Sequence, residues 1–132
     1  MLICYRIRMR RVLVLITLLL AASPLLAVSF LKKLVVTTTG QSSWNGQCPH
    51  RFDFEAEITA RQKGNVLMQW LRSDGATGTA TTLHFTSANE MLKVTDHWMV
   101  GKKYHGWVQL RVTDAAGNVS LSKRAAFSNS CR

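Results

Sequence analysis

The sequence has little proline, little glycine and few acidic side chains. Its 132 residues include two prolines and eight glycines, which excludes collagen-like and proline-rich chains. Seven Asp and Glu residues stand against seventeen Lys and Arg residues, so the formal net charge is +10. Hydrophobic residues make up 47% of the chain, which excludes intrinsic disorder because disorder requires low hydrophobicity. The length suits one domain with one core.

The sequence also lacks the short motifs that identify common enzymes. It contains no GxSxG, no HExxH and no GxxxxGKS/T motif, and no glycine-rich phosphate loop follows a predicted strand. We therefore predict no catalytic residue, no metal site and no cofactor. Lys and Arg are scattered singly or in pairs rather than in a stripe interleaved with aromatic residues, which argues against a nucleic-acid partner.

The first thirty residues differ in composition from the rest of the chain. Four arginines lie within residues 6–11, and an apolar run follows at 12–22. A basic segment, an apolar run of about 7–15 residues and small residues beyond it are the three parts of a secretory signal peptide. We predict a signal peptide at 1–29, cleaved after Ser29 or Ala27. The alternative is an uncleaved membrane anchor, because the largely apolar stretch 12–31 is about long enough to span a bilayer.

Both interpretations export residues 30–132, which then form a periplasmic or secreted domain, or one held outside the cytoplasm by a single-pass anchor. This domain keeps thirteen basic and all seven acidic residues, a net charge of +6. Such a charge suggests an anionic neighbour, for example a membrane surface, a cell-wall polymer or a polysaccharide. The alternative is that moderate positive charge only keeps a small exported protein soluble.

Two cysteines remain when a signal peptide carries Cys4 away. An even pair in an oxidising compartment predicts one disulfide, Cys48–Cys131. In the chain-entropy picture, closing a loop of that length stabilises the fold by about 4–5 kcal/mol. A reactive or metal-binding thiol pair would show a CxxC motif or a neighbouring histidine cluster, and the sequence has neither. We expect a structural disulfide.

From residue 34 onward, apolar and polar side chains alternate with the period of a β-strand. In 52–60, apolar residues alternate with Asp53, Glu55, Glu57 and Thr59, which gives the strand one dry and one wet face. Seven strands are predicted, at 34–39, 52–60, 66–71, 79–86, 92–100, 106–112 and 119–127. Short strands at regular spacing, with turn residues between them and no amphipathic helix, predict an antiparallel β-sandwich or a small barrel.

Trp70 on the third predicted strand and the segment GWVQLRVTDAAGNVS at 106–120 carry a family resemblance. With the strand order over 52–131, they resemble a bacterial immunoglobulin-like or fibronectin type III-like domain, most specifically in the hairpin at 114–120. The resemblance implies a two-sheet sandwich with Greek-key connections. Together with the seven predicted strands and the leader, it leads us to predict an all-β chain: a single seven-stranded antiparallel immunoglobulin-like sandwich after an N-terminal signal or anchor helix. It also implies a binding or spacer module. Since fold does not determine function, the resemblance predicts architecture alone.

The wet face of 52–60 carries a cluster of carboxylates. Asp53, Glu55 and Glu57 project from the same strand face, about 7 Å apart per step. Paired carboxylates at such distances serve glycoside hydrolysis, so a small hydrolase is one interpretation. The other, which we favour, is a solvated strand face opposite a basic neighbour.

Three histidines and one turn are the candidates for metal ligands. His84, His97 and His105 lie in predicted strands and would meet only if those strands were adjacent, and their spacing matches no zinc signature. Asp114 and Asn118 flank a turn and could offer oxygen ligands to calcium. An Asx-type turn that reverses the chain explains them more simply. We expect no metal at either place.

Two tryptophans lie where a partner could bind. Trp44 and Asn45 belong to a polar loop without an obvious core role, and Trp107 shares a strand face with Arg111. An exposed indole beside amide and guanidinium groups can stack on a sugar ring or anchor a protein partner. We predict Trp44, Asn45, Trp107 and Arg111 as binding residues, with a protein, an anionic glycan or another cell-envelope component as partner. The alternative for Trp44 is that it folds back to cap the sandwich near Cys48.

These observations predict an exported, non-catalytic binding or adaptor module in the envelope or outside the cell. Two other classes stay open. One is a secreted inhibitor or effector-like protein, in which a rigid loop blocks an enzyme. The other is a small hydrolase built on the acidic strand.

Overall fold

The structure is a computed structural model that describes residues 29–132. The predicted signal peptide, apart from its last residue, lies outside the described residues. Within 29–132 the regular elements are all β-strands, and no helix there has the length and apolar character needed to cross a membrane. Phe30 and Leu31, at the end of the stretch predicted as an anchor, both contact the core of the sandwich. Phe30 packs edge-on against Phe85 with ring centroids 6.2 Å apart, and Leu31 begins the first strand.

Nine strands follow one another along the described chain. They are β1 (Leu31–Thr39), β2 (Ser43–Trp44), β3 (His50–Ala60), β4 (Gly64–Arg72), β5 (Thr81–Phe85), β6 (Met91–Val100), β7 (Tyr104–Asp114), β8 (Val119–Leu121) and β9 (Ala125–Asn129). The small sheet has the strand order β1-β3-β6. The large sheet has the order β2-β9-β7-β4-β5, with β8 also paired to β7. The two sheets pack face to face, which confirms the predicted all-β sandwich.

The alternation of side chains decides which face of each strand is buried. In β3 every second side chain from Phe52 to Ala60 is buried, and in β7 every second position from Gly106 to Val112 is buried. Successive side chains of a strand point to opposite faces, so the pattern that predicts these strands also predicts their buried face. Trp70 on β4 is 6% exposed and lies in the core, as the family resemblance implies.

The core lies between the two sheets. Its largest fully buried apolar side chains are Phe52, Phe54, Ile58, Val66, Phe85, Val108, Leu110 and Val112. The rings of Phe52 and Phe127 have centroids 4.6 Å apart, and this contact joins β3 to β9 across the two layers. Fully burying one such side chain is worth about 1.5–3 kcal/mol. The core therefore outweighs any single surface contact in stabilising the sandwich.

The structure corrects the predicted set of seven antiparallel strands. The last predicted strand is broken into β8 and β9 at Ser122, whose Oγ accepts a hydrogen bond from the Leu110 amide at 3.0 Å and donates to the Lys123 carbonyl at 2.8 Å. The additional strand, β2, has two residues and pairs in parallel with β9, so the sandwich is not wholly antiparallel. A segment this short shows no periodicity, which is why the sequence does not reveal it.

The predicted disulfide between Cys48 and Cys131 is confirmed, with the two Cα atoms 5.2 Å apart. It ties the loop before β3 to the residues after β9. Two backbone hydrogen bonds accompany it, from Cys48 N to Arg132 O at 3.3 Å and from Arg132 N to Gly46 O at 3.0 Å. The bridged cysteines are 83 residues apart in sequence. Closing a loop of this size stabilises the fold by about 4.5 kcal/mol in the chain-entropy picture.

Candidate binding surface

The outer face of the large sheet brings together two of the predicted binding residues. We define this face as the side chains of β4, β5, β7, β8 and β9 that point away from the core. Trp107 and Arg111 both lie on β7 at outward positions, with Gln109 between them. Their separation of four residues places their Cα atoms about 13 Å apart along the strand.

Arg124 lies over the ring of Trp107, with its guanidinium carbon 3.9 Å from the ring centroid. The pairing of β7 with β9 causes this contact, since Trp107 is opposite Ala126 in the register and Arg124 directly precedes β9. A guanidinium over an indole at an exposed site is held by a cation–π attraction of about 0.5–1 kcal/mol. The N–H groups at the edge of a stacked guanidinium stay available to an oxyanion.

Arg111 is held in place by a chain of hydrogen bonds on the same face. Its Nη2 donates to Oε1 of Gln69, which lies opposite it on β4. The Gln69 amide nitrogen donates in turn to the Gly78 carbonyl at 2.9 Å. The contact with Gln69 uses one of the several N–H donors of the Arg111 guanidinium, so other donors of the same group can still bind a partner. None of the salt bridges within residues 29–132 involves Arg111 or Arg124.

Three apolar side chains are exposed at one end of this face, and we call them the apolar margin. Leu67 is 49% exposed, Val119 58% and Leu121 56%. The strand register places Thr113 between Leu67 and Val119, and Leu121 opposite Arg111. Exposed apolar side chains that cluster in this way mark interaction surfaces, whereas single scattered ones do not.

Two shallow depressions lie on the outer face of the large sheet. The first, of about 490 Å³, is lined by His105, Trp107 and Ser128 among others. The second, of about 330 Å³, includes Arg111 and Leu67 in its lining. Both are open to solvent, so this face suits a partner that lies across it rather than a small molecule enclosed in a pocket.

The acidic residues lie away from this face. Those on the outer face of the small sheet form ion pairs with neighbouring cations, namely Asp53–Arg51 at 2.8 Å, Glu57–Lys33 at 2.9 Å and Glu55–Lys93 at 3.7 Å. The other four bind an arginine or loop amides, namely Asp96 with Arg72, and Asp74, Glu90 and Asp114 with backbone N–H groups. In the described chain, no outward position of β4, β5, β7, β8 or β9 carries a carboxylate.

Glu57, one of the three carboxylates on the outer face of β3, does not have the electrostatics of a hydrolase acid. The hydrogen bond from Lys33, then the charges of Lys33 and Lys93, lower the pKa of Glu57 below its ordinary value of 4.5. A general acid in glycoside hydrolysis needs a raised pKa instead. Asp53 and Glu55 line a depression of about 460 Å³ on the small sheet. The geometry supports the interpretation of these residues as a solvated, ion-paired strand face.

The candidate metal ligands do not converge. His84 and His105 lie on the large sheet, whereas His97 lies on the small sheet. The Asp114 carboxylate accepts a hydrogen bond from the Asn118 amide at 2.8 Å, so it closes the turn between β7 and β8 in the manner of an Asx turn. Residues 29–132 hold no group of three ligating side chains that could bind a metal ion.

Trp44 takes the alternative arrangement and folds back near Cys48. Its indole stacks on His50, with ring centroids 4.1 Å apart and planes 11° apart. The indole N–H donates a hydrogen bond to the Gln47 carbonyl at 3.1 Å. Trp44 is half-buried and packs against the core, so it closes the end of the sandwich that carries the disulfide.

Asn45 stays exposed beside Trp44 and lines a depression of about 420 Å³. Ser43 lines both this depression and the one around Trp107. The structure thus places the predicted binding residues in two adjoining areas. Trp107 and Arg111 are on the outer face of the large sheet, and Asn45 is at its edge, with Trp44 turned inward.

The sequence does not identify Arg124, Gln69 or the apolar margin as part of this surface. No local pattern links Arg124 to Trp107, because their contact depends on which strands pair and in what register. The same is true of Gln69 and Arg111, which come from different strands. The one sequence signal is the basic pair Lys123-Arg124 within the last predicted strand.

No protein family and no curated protein matches this sequence. The solved structures to which this chain is similar include a CARDB domain of a Pyrococcus furiosus protein in complex with di-metal ions. That domain is 13% identical, with a TM-score of 0.55 over 82% of this chain and 97% of that chain. Another is the Pseudomonas fluorescens alkylpurine DNA glycosylase AlkC bound to DNA containing an abasic site analog, which is 16% identical, with a TM-score of 0.43 over 74% of this chain and 30% of that chain. The first likeness shows that this chain has an all-β, immunoglobulin-like sandwich fold.

Proposed function

We propose that this chain is an exported, non-catalytic binding or adaptor module that holds an anionic partner on the outer face of its large sheet. Within the immunoglobulin-like fold, we assign it to the bacterial immunoglobulin-like or fibronectin type III-like domains. The buried Trp70 and the hairpin at 114–120 support this finer assignment. Domains of this kind usually bind or space other components, and the surface described above supports the first of these roles.

The observation that carries this proposal is the separation of charge between the two outer faces. The carboxylates of the small sheet are neutralised by neighbouring cations, whereas Arg111 and Arg124 have no carboxylate partner among residues 29–132. A surface with uncompensated positive charge attracts anionic partners. The contacts with Gln69 and Trp107 hold the two guanidinium groups in place, which reduces the entropy lost on binding.

Two features support export. One is the leader pattern at 1–29. The other is the disulfide, since such bonds form and persist in oxidising compartments. The proposed location is the periplasm or the cell exterior, with retention of 12–31 as an anchor as the alternative. Mass spectrometry of exported protein separates the two: a mature chain that begins at Val28 or Phe30 shows cleavage, and a full-length mass shows the anchor.

The inhibitor and hydrolase alternatives have less support. An inhibitory loop built on Trp44 needs that indole exposed, but the ring is stacked on His50. A hydrolase needs a carboxyl that stays protonated near neutral pH, whereas the pKa of Glu57 is shifted in the opposite direction. Asp53 and Glu55 are paired with Arg51 and Lys93, respectively. The binding module is therefore the function that this geometry supports best.

A matched pair of double variants tests the proposal. Arg111→Ala/Arg124→Ala removes two positive charges from the outer face of the large sheet. Arg61→Ala/Lys63→Ala removes two from the turn between β3 and β4. We expect the first variant to lose about tenfold or more in affinity for immobilised polyglutamate, polygalacturonate or heparin, and the second to lose less than about threefold.

Equal losses in the two double variants would contradict the proposal. They would mean that only the net charge matters, as expected if the basic residues serve solubility alone. Thermal unfolding of each variant is the control for folding. All four side chains lie at the surface or partly exposed, so we expect the midpoints to stay close to that of the unmodified chain.

A further inference from the structure

We infer that the partner on the outer face of the large sheet is an acidic polypeptide segment rather than a glycan. This inference rests on the proposed function and names the chemical class of its partner. It comes from one juxtaposition: two fixed guanidinium groups, those of Arg111 and Arg124, share a sheet face with the exposed apolar margin.

The indole of Trp107 is already in contact with the guanidinium of Arg124. A glycan gains most from an aromatic side chain when a sugar ring stacks on its open face. Arg124 already covers one face of this ring, 3.9 Å from the centroid, and the side chain is half-buried. A sugar that stacked on this face would have to displace the guanidinium, and the contact between Arg124 and Trp107 would lose its cation–π attraction. The arrangement instead presents the edge of the guanidinium, whose paired N–H groups match a carboxylate in a bidentate geometry.

The apolar margin of Leu67, Val119 and Leu121 favours a partner with apolar side chains of its own. These side chains are between 49% and 58% exposed, and covering them removes apolar surface from water at about 25 cal/mol per Å². A hydroxyl-rich polysaccharide would bury polar groups against them without hydrogen-bond partners, which is unfavourable. A polypeptide can cover the margin with its own apolar side chains.

The charged and aromatic residue types on this face are those of a protein–protein interface. Protein–protein interfaces are enriched in Trp and Arg and depleted in Lys, Glu and Asp. In the part of the chain that the structure describes, the outward positions of β4, β5, β7, β8 and β9 include Trp107 and Arg111 and no Lys, Glu or Asp. Arg124 adds a second arginine directly before β9. In its tryptophan, its arginines and its lack of Lys, Glu and Asp, this face resembles an interface centre, whereas Ala126 and Ser128 are types that interfaces contain less often.

The strand register sets the spacing of the groups that the partner must offer. Trp107, which lies under Arg124, and Arg111 are four residues apart on β7, about 13 Å. The apolar margin begins at Leu121, opposite Arg111. An extended segment along β7 therefore meets both arginines when its acidic residues are four positions apart, and it meets the margin with apolar residues beyond them.

The experiment uses the full oxidised chain and three immobilised probes: poly(Glu,Tyr) copolymer, poly-L-glutamate and polygalacturonate. We expect the tightest binding to the copolymer, because it alone combines carboxylates with aromatic side chains. Arg111→Ala and Arg124→Ala each weaken copolymer binding by about tenfold or more. Arg124→Lys weakens it by about threefold or more, because a lone ammonium lacks the planar fork. Leu121→Ser weakens binding of the copolymer alone, by about threefold.

Met99→Ser is the matched control for Leu121→Ser. Met99 is equally exposed, at 56%, but lies on the outer face of the small sheet, so we expect no change in binding. Equal losses from the two serine variants would overturn the role of the apolar margin, and with it the choice of a polypeptide.

Two further outcomes separate this inference from the proposed function. In the first outcome, the chain binds polygalacturonate more tightly than either polypeptide, and both arginine-to-alanine variants weaken that binding. This outcome would overturn the polypeptide inference and leave the proposed surface standing. Unchanged binding of all three probes in both arginine-to-alanine variants would overturn the proposed surface as well.

Discussion

Replacing Gly106 with alanine tests how closely the sheets pack at the end of the sandwich near the disulfide. Gly106 is a buried residue of β7, and a Cβ added there would lie 2.5 Å from Tyr104 Cε1, 2.7 Å from Ser73 Oγ and 2.8 Å from Phe127 Cζ. The Ser73 and Tyr104 hydroxyls share a hydrogen bond of 2.8 Å, and Phe127 is only 4% exposed. None of these three side chains can move away without disturbing its own neighbours.

The expected cost of Gly106→Ala follows from these contacts. Overpacking of a well-filled core costs about 1–3 kcal/mol, and weakening the Ser73–Tyr104 hydrogen bond adds about 0.5–1.5 kcal/mol. Against this, alanine restricts the unfolded chain and stabilises the fold by about 0.4–1 kcal/mol. We expect a net loss of about 0.5–4 kcal/mol in the free energy of unfolding. Each kcal/mol lowers the Tm of a domain of this size by about 4–8 °C.

Gly101→Ala is the matched control. Apart from Gly101 and its two chain neighbours, no residue of 29–132 has a heavy atom within 4 Å of a Cβ added at Gly101, and the backbone there is outside the left-handed region. The unfolded-state effect then acts alone, so we expect this variant to be unchanged or more stable by up to about 1 kcal/mol. Urea denaturation followed by tryptophan fluorescence measures both variants. A Gly106→Ala chain as stable as the unmodified one would refute the close packing argued here.

Three further predictions concern the disulfide, one ion pair and one buried hydrogen bond. Replacing Cys48 and Cys131 with alanine should lower the free energy of unfolding in urea by about 4–5 kcal/mol, and a loss under about 1 kcal/mol would contradict the loop-closure argument. Because the pKa of Glu57 is lowered, its pairing with Lys33 stabilises the fold above the ordinary pKa of 4.5, and this contribution is lost as the pH falls through the lowered pKa. Lys33→Met should return the carboxyl pKa, followed by NMR, toward its ordinary value; an unchanged pKa would show that the pair does not form in solution. Ser122→Ala should leave the buried amide of Leu110 on β7 without its hydrogen-bond partner. We expect the free energy of unfolding to fall by about 1–3 kcal/mol and hydrogen exchange at that amide to become faster. Unchanged protection of that amide from exchange would contradict this prediction.

The strands can be predicted from the sequence because alternation is a local property. The pattern at 52–60 predicts a strand, and β3 spans His50–Ala60. It starts earlier than the pattern because pairing with β6 continues to His50, opposite Val100, and pairing is not visible in one strand alone. In the same way, spacing along β7 places Trp107 and Arg111 on one face, because residues an even number apart share a side of the strand.

The composition of the candidate surface could not be predicted, because it depends on contacts between strands distant in sequence. Arg124 reaches Trp107 only because β9 pairs with β7. The orientation of Trp44 depends on a contact closer in sequence, which the alternation pattern also does not show. Its loop is polar and favours exposure, but stacking on His50 turns the ring inward.

The longer β-strands, their buried faces and the cysteine pair follow from the amino-acid sequence alone, since each depends on local periodicity or on counting residue types. The two-residue strand β2 does not. Which faces became neighbours depended on the tertiary fold. In the described chain, the fold left the outward positions of β4, β5, β7, β8 and β9 without a carboxylate, and it gathered two arginines, an indole and the apolar margin on that face. Strand order and register are set by how all the apolar faces are buried at once. No single segment of the chain contains that information.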